Sequence, residues 1–157
     1  MVHYLESLFE FMIEIVNRHH GIINKFLGDG FMAVFGAPLS DGKDCLNAVE
    51  AAQEILARLK QEVEAGTILP TTVGIGLHAG EAVTGSIGSA LRREYTLIGD
   101  VVNLAARIEK LNKQFDSQLL ISEMVWQAVN EDHRKAMPMG HVQVRGREQA
   151  IQVYQVA

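Results

Sequence analysis

The stretch that decides the fold reads Asn24-Lys25-Phe26-Leu27-Gly28-Asp29-Gly30-Phe31-Met32-Ala33-Val34-Phe35. Two short apolar runs, Ile22 to Leu27 and Phe31 to Phe35, are separated by Gly28-Asp29-Gly30. A cluster of Gly and Asp between two strand-like runs is typical of a β-hairpin. The sequence therefore predicts a tight turn with Asp29 at its tip, where a rigid backbone can hold one carboxylate as a Mg²⁺ ligand. Gly-Asp-Gly is also ordinary turn chemistry, so a plain turn remains the alternative.

On both sides of the hairpin, apolar residues recur at the spacing of amphipathic helices. This spacing predicts helices at residues 3–19, 42–65 and 99–112. A fourth helix is predicted after Ser122, which would cap it, with Glu123 in its first turn. The other predicted strands lie at 71–78, within a long β excursion over 80–98, and at 118–121, 140–145 and 150–156. Hairpins mixed with helical crossovers indicate an α+β, ferredoxin-like sandwich, with a mostly antiparallel sheet.

The composition limits the class of protein. The 157 residues fit one domain over 1–157, and 48% hydrophobic residues can supply a core at this length. A net charge of −5 makes the chain a poor general binder of nucleic acid. The single cysteine excludes an internal disulfide and fits a reducing compartment. No apolar run approaches the ~20 residues of a membrane span, so we predict a cytoplasmic protein, attached to a membrane only through parts of a longer parent.

A candidate anion site lies in the third predicted helix. Asn103 and Arg107 stand four residues apart and share one face, while the apolar residues of the helix point the other way. An arginine beside an amide donor can clamp a phosphate, although a solvated polar face is an equal alternative. Near the C-terminus, Arg145 and Arg147 flank a turn glycine and could bind phosphate, or be ordinary polar turn residues. The phosphate loop with Gly-Lys-Ser/Thr is absent, and Gly74-Ile75-Gly76 lacks the third glycine of a dinucleotide fingerprint.

Three motifs together resemble a known family. The segment from Asn24 to Pro38 resembles the second metal-site motif of class III adenylate and guanylate cyclases. Gly74 to Gly80 and Tyr95 to Arg107 resemble later motifs of that family, in the same order. The resemblance extends from about residue 3 to the C-terminus, and three ordered motifs are a much more specific signal than any single one.

The resemblance implies an activity and an assembly. Two similar domains pair head to tail in this family, as a homodimer or with a second cyclase domain, and each active site is shared across the interface. The ribose 3′-hydroxyl attacks the α-phosphate and pyrophosphate leaves. Two Mg²⁺ or Mn²⁺ ions activate the hydroxyl and neutralise the phosphates. Catalysis is mostly positioning and electrostatics, as in other reactions at phosphorus.

The resemblance also assigns roles to single residues. Asp29 corresponds to the second metal-binding aspartate. Asn103 orients the ribose, and Arg107 stabilises charge at the α-phosphate. Arg145 falls where a Lys or Arg of the family reaches the terminal phosphates, with Arg147 as the second choice.

The choice of base depends on Lys25 and Thr96, which correspond to the base-reading pair. Adenine N1 is a hydrogen-bond acceptor and a lysine only donates, whereas guanine N1 carries a hydrogen and would require a carboxylate. Guanylate cyclases place Glu at the Lys25 position, so the resemblance favours ATP. The Thr96 hydroxyl could accept from the adenine amino group or donate to guanine O6. Thr at this position resembles the subgroup with bicarbonate-responsive soluble cyclases.

One departure from the family concerns the N-terminus. Members begin with a strand that carries the first metal aspartate, and Met1 and Val2 stand where that strand should have ended. We therefore expect a truncated piece of a longer adenylate cyclase, which converts ATP to cyclic AMP. One alternative is a regulatory module without catalysis, or one that lends half a site to a complete partner. Another is an RNA-binding or small-ligand domain that shares only the fold.

Overall fold

A computed structural model of the chain describes residues 2–36, 42–80, 83–86, 95–98, 100–129, 136–142 and 150–157. Its contacts divide it into two compact units, Met1–Val73 and Gly74–Ala157, which we call the N-terminal and the C-terminal unit. The single domain predicted over residues 1–157 stays a prediction. Among the described residues, no helix is both long enough and apolar enough to cross a bilayer.

The N-terminal unit packs two helices against one hairpin. Its elements are α1 (Val2–Arg18), β1 (Gly21–Leu27), β2 (Gly30–Phe35) and α2 (Asp44–Glu64). The two strands pair antiparallel, α1 packs against β1 and α2, and α2 also packs against β2. The predicted hairpin and the two predicted helices are confirmed within two residues at each end.

The two helices bury the faces that their sequences predict. In α1 the buried residues recur every three or four positions, at Leu8, Phe11, Met12, Ile15 and Val16. The buried residues of α2 are Ala48, Val49, Ala51, Ala52, Ile55 and Leu59. Small alanines on this face leave room for a close approach of the neighbouring helix. After α1 the chain reverses through His20, whose φ of 70° is in the left-handed region.

The C-terminal unit contains the remaining elements. They are β3 (Ile75–Leu77), β4 (Val83–Ser86), β5 (Tyr95–Ile98), α3 (Asp100–Phe115), β6 (Leu119–Ser122), α4 (Glu123–Val129), β7 (Met137–Val142) and β8 (Ile151–Gln155). Four strands form a sheet in the order β3-β6-β8-β7, in which only the β3–β6 pair is parallel. Strands β4 and β5 form a separate antiparallel pair. The α+β prediction is thus confirmed.

The core of the C-terminal unit lies between α3 and the sheet. Its buried members are Leu104, Ile108, Leu120, Ile151 and Val153. All four residues of β6 are buried, as expected for a central strand that is covered on both faces. Ser122 is the last residue of β6 and stands directly before α4, at the position predicted for its cap, and its hydroxyl is hydrogen bonded to the His78 ring at 2.9 Å.

Several predicted boundaries were wrong, because strand ends depend on the partner strand. The strand predicted at 71–78 is limited to Ile75–Leu77, since β6 offers only three paired positions. Strand β7 begins at Met137 and not at 140, because β8 continues to Gln155 and pairs with it. Helix α3 continues beyond 112 to Phe115. In the 80–98 excursion only β4 and β5 are described, and residues 87–94 lie outside the described residues.

Strand β7 is irregular. It lies at the end of the described sheet order and pairs with β8 alone there. Its register shifts between Pro138 and Gly140, and Gly140 has a φ of +123°. A proline has no backbone N–H to donate, so this strand departs from a regular ladder at two nearby points.

Candidate active site

The tip of the β1–β2 hairpin is built by backbone geometry alone. Leu27 pairs with Gly30, so the loop has two residues, and Gly28 at its first position has a φ of +54°. Two-residue type II′ turns place a glycine there, because other residues avoid positive φ. A side-chain carbon at Gly28 would have no atom within 4 Å, so nothing packs around the turn. The carboxylate of Asp29 is therefore exposed at the apex of the hairpin.

Lys25 follows a bulge in the same hairpin. Ile23 pairs with Ala33 and Lys25 with Met32, so Asn24 is an additional residue in β1. A bulge bends its strand and increases the local twist, which changes the direction of nearby side chains. Lys25 is exposed on the strand that leads to the turn. The structure thus brings Lys25 and Asp29 into one hairpin, with both side chains accessible.

Three aromatic rings tie the hairpin to α1. Phe9 of α1 lies 6.1 Å from Phe26 and 5.8 Å from Phe31, between ring centroids, and the two hairpin rings are 6.4 Å apart. Such pairs contribute about 0.5–1.5 kcal/mol each beyond the area that they bury. Phe26 nevertheless remains 58% exposed. Phe26 and Phe31 form the pair next to the turn-closing Leu27–Gly30 pair, so the rings attach the tip end of the hairpin to α1 while the turn itself is left in solvent.

Helix α3 carries two of the other described site residues, and β5 carries a third. Asn103 and Arg107 lie one turn apart and are exposed. The residue that follows each of them, Leu104 and Ile108, is buried. The predicted polar face therefore exists. Thr96 lies in β5, opposite Gly85 of β4, and β5 packs against α3. Arg145 and Arg147 lie outside the described residues.

The underside of α3 meets β3 unusually closely. A side-chain carbon at Gly76 would stand 2.4 Å from the Glu109 nitrogen and 2.8 Å from the Ala105 oxygen, both in the backbone of α3. Asn112 is 5% exposed, and its amide nitrogen donates to the Ile75 carbonyl at 3.0 Å. We predicted neither contact from the sequence. The only signal was a glycine inside a strand, which often marks a close backbone approach.

Asn112 makes further contacts within α3. Its amide nitrogen also donates to the Glu109 carbonyl at 3.0 Å, and its side-chain oxygen accepts from the Ser117 hydroxyl at 2.8 Å. A buried amide is costly unless its donors and acceptor are satisfied, and here each is engaged. Asn112 therefore links β3, the last turn of α3 and the segment that follows the helix.

Charged side chains join α1 and α2 away from the hairpin tip. Arg18 and His19 both contact Glu54, with His19 Nε2 at 3.0 Å from its carboxylate, and His19 Nδ1 lies 4.0 Å from Glu50. The hydrogen bond with His19 is the largest influence on the pKa of Glu54 and lowers it. Burial, the second largest, raises this pKa, but the hydrogen bond from Arg18 and the charges of Arg18 and His19 lower it further, so it lies below its usual value. This cluster stabilises the packing of the two helices, and we assign it no part in chemistry.

The metal prediction can be tested against the available ligands. No group of three or more His, Cys, Asp or Glu side chains comes together among the described residues. Mg²⁺ does not require one, because it retains waters and commonly binds one or two carboxylates together with substrate phosphates. Asp29 offers an exposed, hard oxygen ligand on a two-residue turn and fits such a role.

Comparison with known families identifies the class of protein. Residues 1–157 match the family model of the adenylate and guanylate cyclase catalytic domain. The chain therefore belongs to the class III nucleotide cyclase family, as the three motifs predicted.

Among curated proteins, the chain is similar to two uncharacterized proteins of Mycobacterium tuberculosis. It is 37% identical to Rv1318c over 156 residues, which are 98% of this chain and 28% of that protein. It is 39% identical to Rv1319c over 150 residues, which are 95% of this chain and 27% of that protein. The chain thus spans less than a third of the length of these relatives.

Solved structures of cyclases share the fold. The adenylyl cyclase CyaB from P. aeruginosa superposes with a TM-score of 0.79 at 30% identity, over 99% of this chain and 81% of that one. The guanylyl cyclase Cya2 gives 0.77 at 32% identity, over 99% and 79%. A bacterial light-regulated adenylyl cyclase gives 0.79 at 30% identity, over 99% and 44%. Both substrate classes thus occur among the similar structures.

Proposed function

We propose that this domain is an adenylate cyclase, which converts ATP to 3′,5′-cyclic AMP and pyrophosphate. The observation that carries the choice of ATP is Lys25, an exposed lysine on β1 of the hairpin. Its ammonium group donates hydrogen bonds and cannot accept them, which suits the N1 acceptor of adenine and not the N1–H of guanine. Thr96, the other proposed base-reading residue, is less decisive between ATP and GTP, because its hydroxyl can donate or accept.

The exposed face of α3 supplies the groups for the reaction itself. The 3′-hydroxyl of the ribose attacks the α-phosphate, a new P–O bond forms, and the bond to pyrophosphate breaks. In this proposal the Asn103 amide holds the ribose in the orientation for attack. The Arg107 guanidinium donates hydrogen bonds to the α-phosphate oxygens, where negative charge increases in the transition state. Both side chains are accessible to a nucleotide.

Asp29 is proposed as a ligand of Mg²⁺ or Mn²⁺. When bound, such an ion neutralises phosphate charge and lowers the pKa of the attacking hydroxyl. The two-residue turn sets the carboxylate at the apex of the hairpin, where it is open to solvent and substrate. Arg145 is proposed to reach the terminal phosphates.

We further propose that two copies of the domain, or this domain and a second cyclase domain, complete the site together. Family membership supports this assembly. In such a pair, the metal ligand and the base-reading residues of one site come from different subunits. A module that binds nucleotide without turnover is the competing function, and the assay below separates the two.

The test compares the products from two nucleotides. Cyclic AMP from ATP and cyclic GMP from GTP are measured with Mn²⁺ for the wild-type protein and for Lys25→Glu. We expect the wild type to prefer ATP and Lys25→Glu to shift the ATP-to-GTP ratio of kcat/KM by about 100-fold, because a carboxylate would face the adenine N1 lone pair. Lys60→Glu is the matched control, since Lys60 is also an exposed lysine of the N-terminal unit, on α2.

Three results would contradict parts of the proposal. A wild-type preference for GTP would overturn the choice of substrate. An unchanged ratio in Lys25→Glu would remove Lys25 from base reading. Binding of ATP without any product, from a folded and dimeric protein, would select the regulatory module.

A further inference from the structure

We infer that Gly76 and Asn112 are positioning residues for the cyclase reaction. Neither touches the nucleotide in this proposal. They set the distance between α3 and β3 and the position of α3 along its own axis. The helix in turn places Asn103 and Arg107. The inference rests on the proposed function, because the position of these two side chains matters to catalysis only if they act on substrate.

The first step is the contact at Gly76. The atoms nearest to a side-chain carbon at this position belong to the helix backbone, with 2.4 Å to the Glu109 nitrogen and 2.8 Å to the Ala105 oxygen. Real Cβ atoms essentially never come within 3.0 Å of a heavy atom outside their own and the adjoining residues. Backbone atoms of a packed helix cannot rotate away as a side chain can, so an alanine here must push the helix outward by about half an ångström or more.

The second step follows from helix geometry. Ala105 and Glu109 are the residues of α3 that meet Gly76. Asn103 and Arg107 each stand two positions from one of them, which is about 200° around the axis at 3.6 residues per turn. They therefore project from the side opposite to β3, in agreement with their exposure. A displacement of α3 away from β3 would carry both side chains outward together, toward the place where substrate is proposed to bind.

The third step concerns Asn112, which fixes α3 along its axis. Its bond to the Ile75 carbonyl joins the helix to the residue next to Gly76, so the two contacts act at one point of β3. Its bonds to Glu109 and Ser117 hold the last turn of the helix and the chain beyond it. Hydrogen bonds that cross between elements resist sliding, whereas apolar contacts alone tolerate small shifts.

The expected effect is on the chemical step. Displacing a catalytic group by about 1 Å can reduce the rate about 100-fold, because the barrier depends steeply on orientation. For Gly76→Ala we expect kcat to fall about 10- to 100-fold, while KM and the affinity for 3′-deoxy-ATP change by less than about threefold. KM should change less than kcat because Lys25, the proposed base contact, lies on β1 and not on α3.

A graded comparison lies two residues earlier in the chain. At Gly74 a side-chain carbon would meet Glu109 Oε1 at 3.0 Å, Asn112 Nδ2 at 3.2 Å and Asn112 Cβ at 3.4 Å, and no backbone atom of α3 is among these three nearest neighbours. The exposed Glu109 side chain can move aside, whereas Asn112 Nδ2 donates the bond to Ile75 and would have to give by a few tenths of an ångström. We therefore expect kcat to fall less in Gly74→Ala than in Gly76→Ala, although the chemical change is the same.

The experiment measures kcat, KM and the number of 3′-deoxy-ATP sites per protein for the wild type, Gly76→Ala and Gly74→Ala. This analogue lacks the attacking hydroxyl, so its binding counts folded sites without turnover. If the wild type makes no cyclic AMP, the proposed function fails before the variants are compared. If the wild type is active, a Gly76→Ala protein with wild-type kcat, or with kcat lost only in proportion to binding sites, overturns the positioning role.

A second variant protects the test against misfolding. If Gly76→Ala binds no analogue at all, Asn112→Ala replaces it, because this change deletes the bond to Ile75 without inserting any atom. A reduction in kcat per analogue-binding site with unchanged KM supports the inference. Equal reductions in kcat and in the number of binding sites show a purely structural role and contradict it.

Discussion

The hairpin tip and helix α3 hold their candidate site residues by opposite means. At the tip nothing lies within 4 Å of a side-chain carbon at Gly28, so the place of Asp29 depends on a local turn. On α3 the exposed Arg107 stands above a tightly packed underside, where Ile108 is fully buried. The comparison teaches that the candidate residues of the hairpin are placed by local sequence and those of α3 by distant neighbours. Substitutions should therefore affect the two regions in different ways.

The largest effect on stability is expected beneath α3. Ile108 is 0% exposed and packs in one cluster with Leu104, Leu120, Ile151 and Val153. Ile108→Ala should lower the free energy of unfolding by about 2–5 kcal/mol, measured by urea unfolding. Phe26→Ala, a larger truncation at the hairpin, should lower it by only about 1 kcal/mol, because Phe26 is 58% exposed. Equal losses in the two variants would break the comparison.

An intermediate effect is expected at the turn. Gly28→Ala introduces no clash but forces an L-residue to a φ of +54°, so it should cost about 1–2 kcal/mol of unfolding free energy. Gly30→Ala is the control, since Gly30 is not among the residues at positive φ and its nearest neighbour would be 3.9 Å away. That variant should stay within about 0.5 kcal/mol of the wild type. If both substitutions prove neutral, the turn is not what holds Asp29.

The smallest effect is expected at the charged contact between α1 and α2. The folded-state pKa of Glu54 is lowered, so its contribution is present at neutral pH and is lost as the pH falls through that value. Glu54→Gln should be less stable than the wild type at pH 7 by no more than about 1 kcal/mol, because the side chains of His19 and Glu54 remain partly exposed, at 20% and 36%. The difference should vanish in acid.

The control for this titration is Glu14→Gln, an equal change at an exposed position of α1. Thermal unfolding of the three proteins from pH 7 to pH 3 is the measurement. A difference between Glu54→Gln and the wild type that persists at pH 3 would show that packing, and not charge, joins the helices there.

The parts that the sequence predicted are those with a local signal. Gly28 and Gly30 mark the hairpin, and the spacing of Leu104 and Ile108 marks the buried face that leaves Asn103 exposed. Strand ends were less predictable. Thr71 looks like a strand residue, yet β3 begins only at Ile75, where β6 provides a partner.

The contacts beneath α3 had only a weak signal in the sequence, the glycine within the predicted strand at 71–78. Asn112 is polar and near the end of a helix, where a solvated residue is the ordinary expectation, yet it is buried and hydrogen bonded to another element. Gly76 belongs to a segment that lacks the third glycine of a dinucleotide fingerprint. In the structure it allows the backbone of α3 to approach β3 closely. Both depend on which element packs on which, and periodicity cannot supply that information. The roles of Lys25 and Arg107 themselves stay predictions.

The irregular backbone of β7 makes this strand a poor partner for a strand of another chain. An open sheet edge is a template on which another chain can add a strand, and regular, apolar edges lead to aggregates. Pro138 offers no N–H to such a strand, and the register shift with the positive φ of Gly140 interrupts the ladder again. Among the described residues β7 ends the sheet order, so its irregular backbone makes the addition of a foreign strand at this position unfavourable.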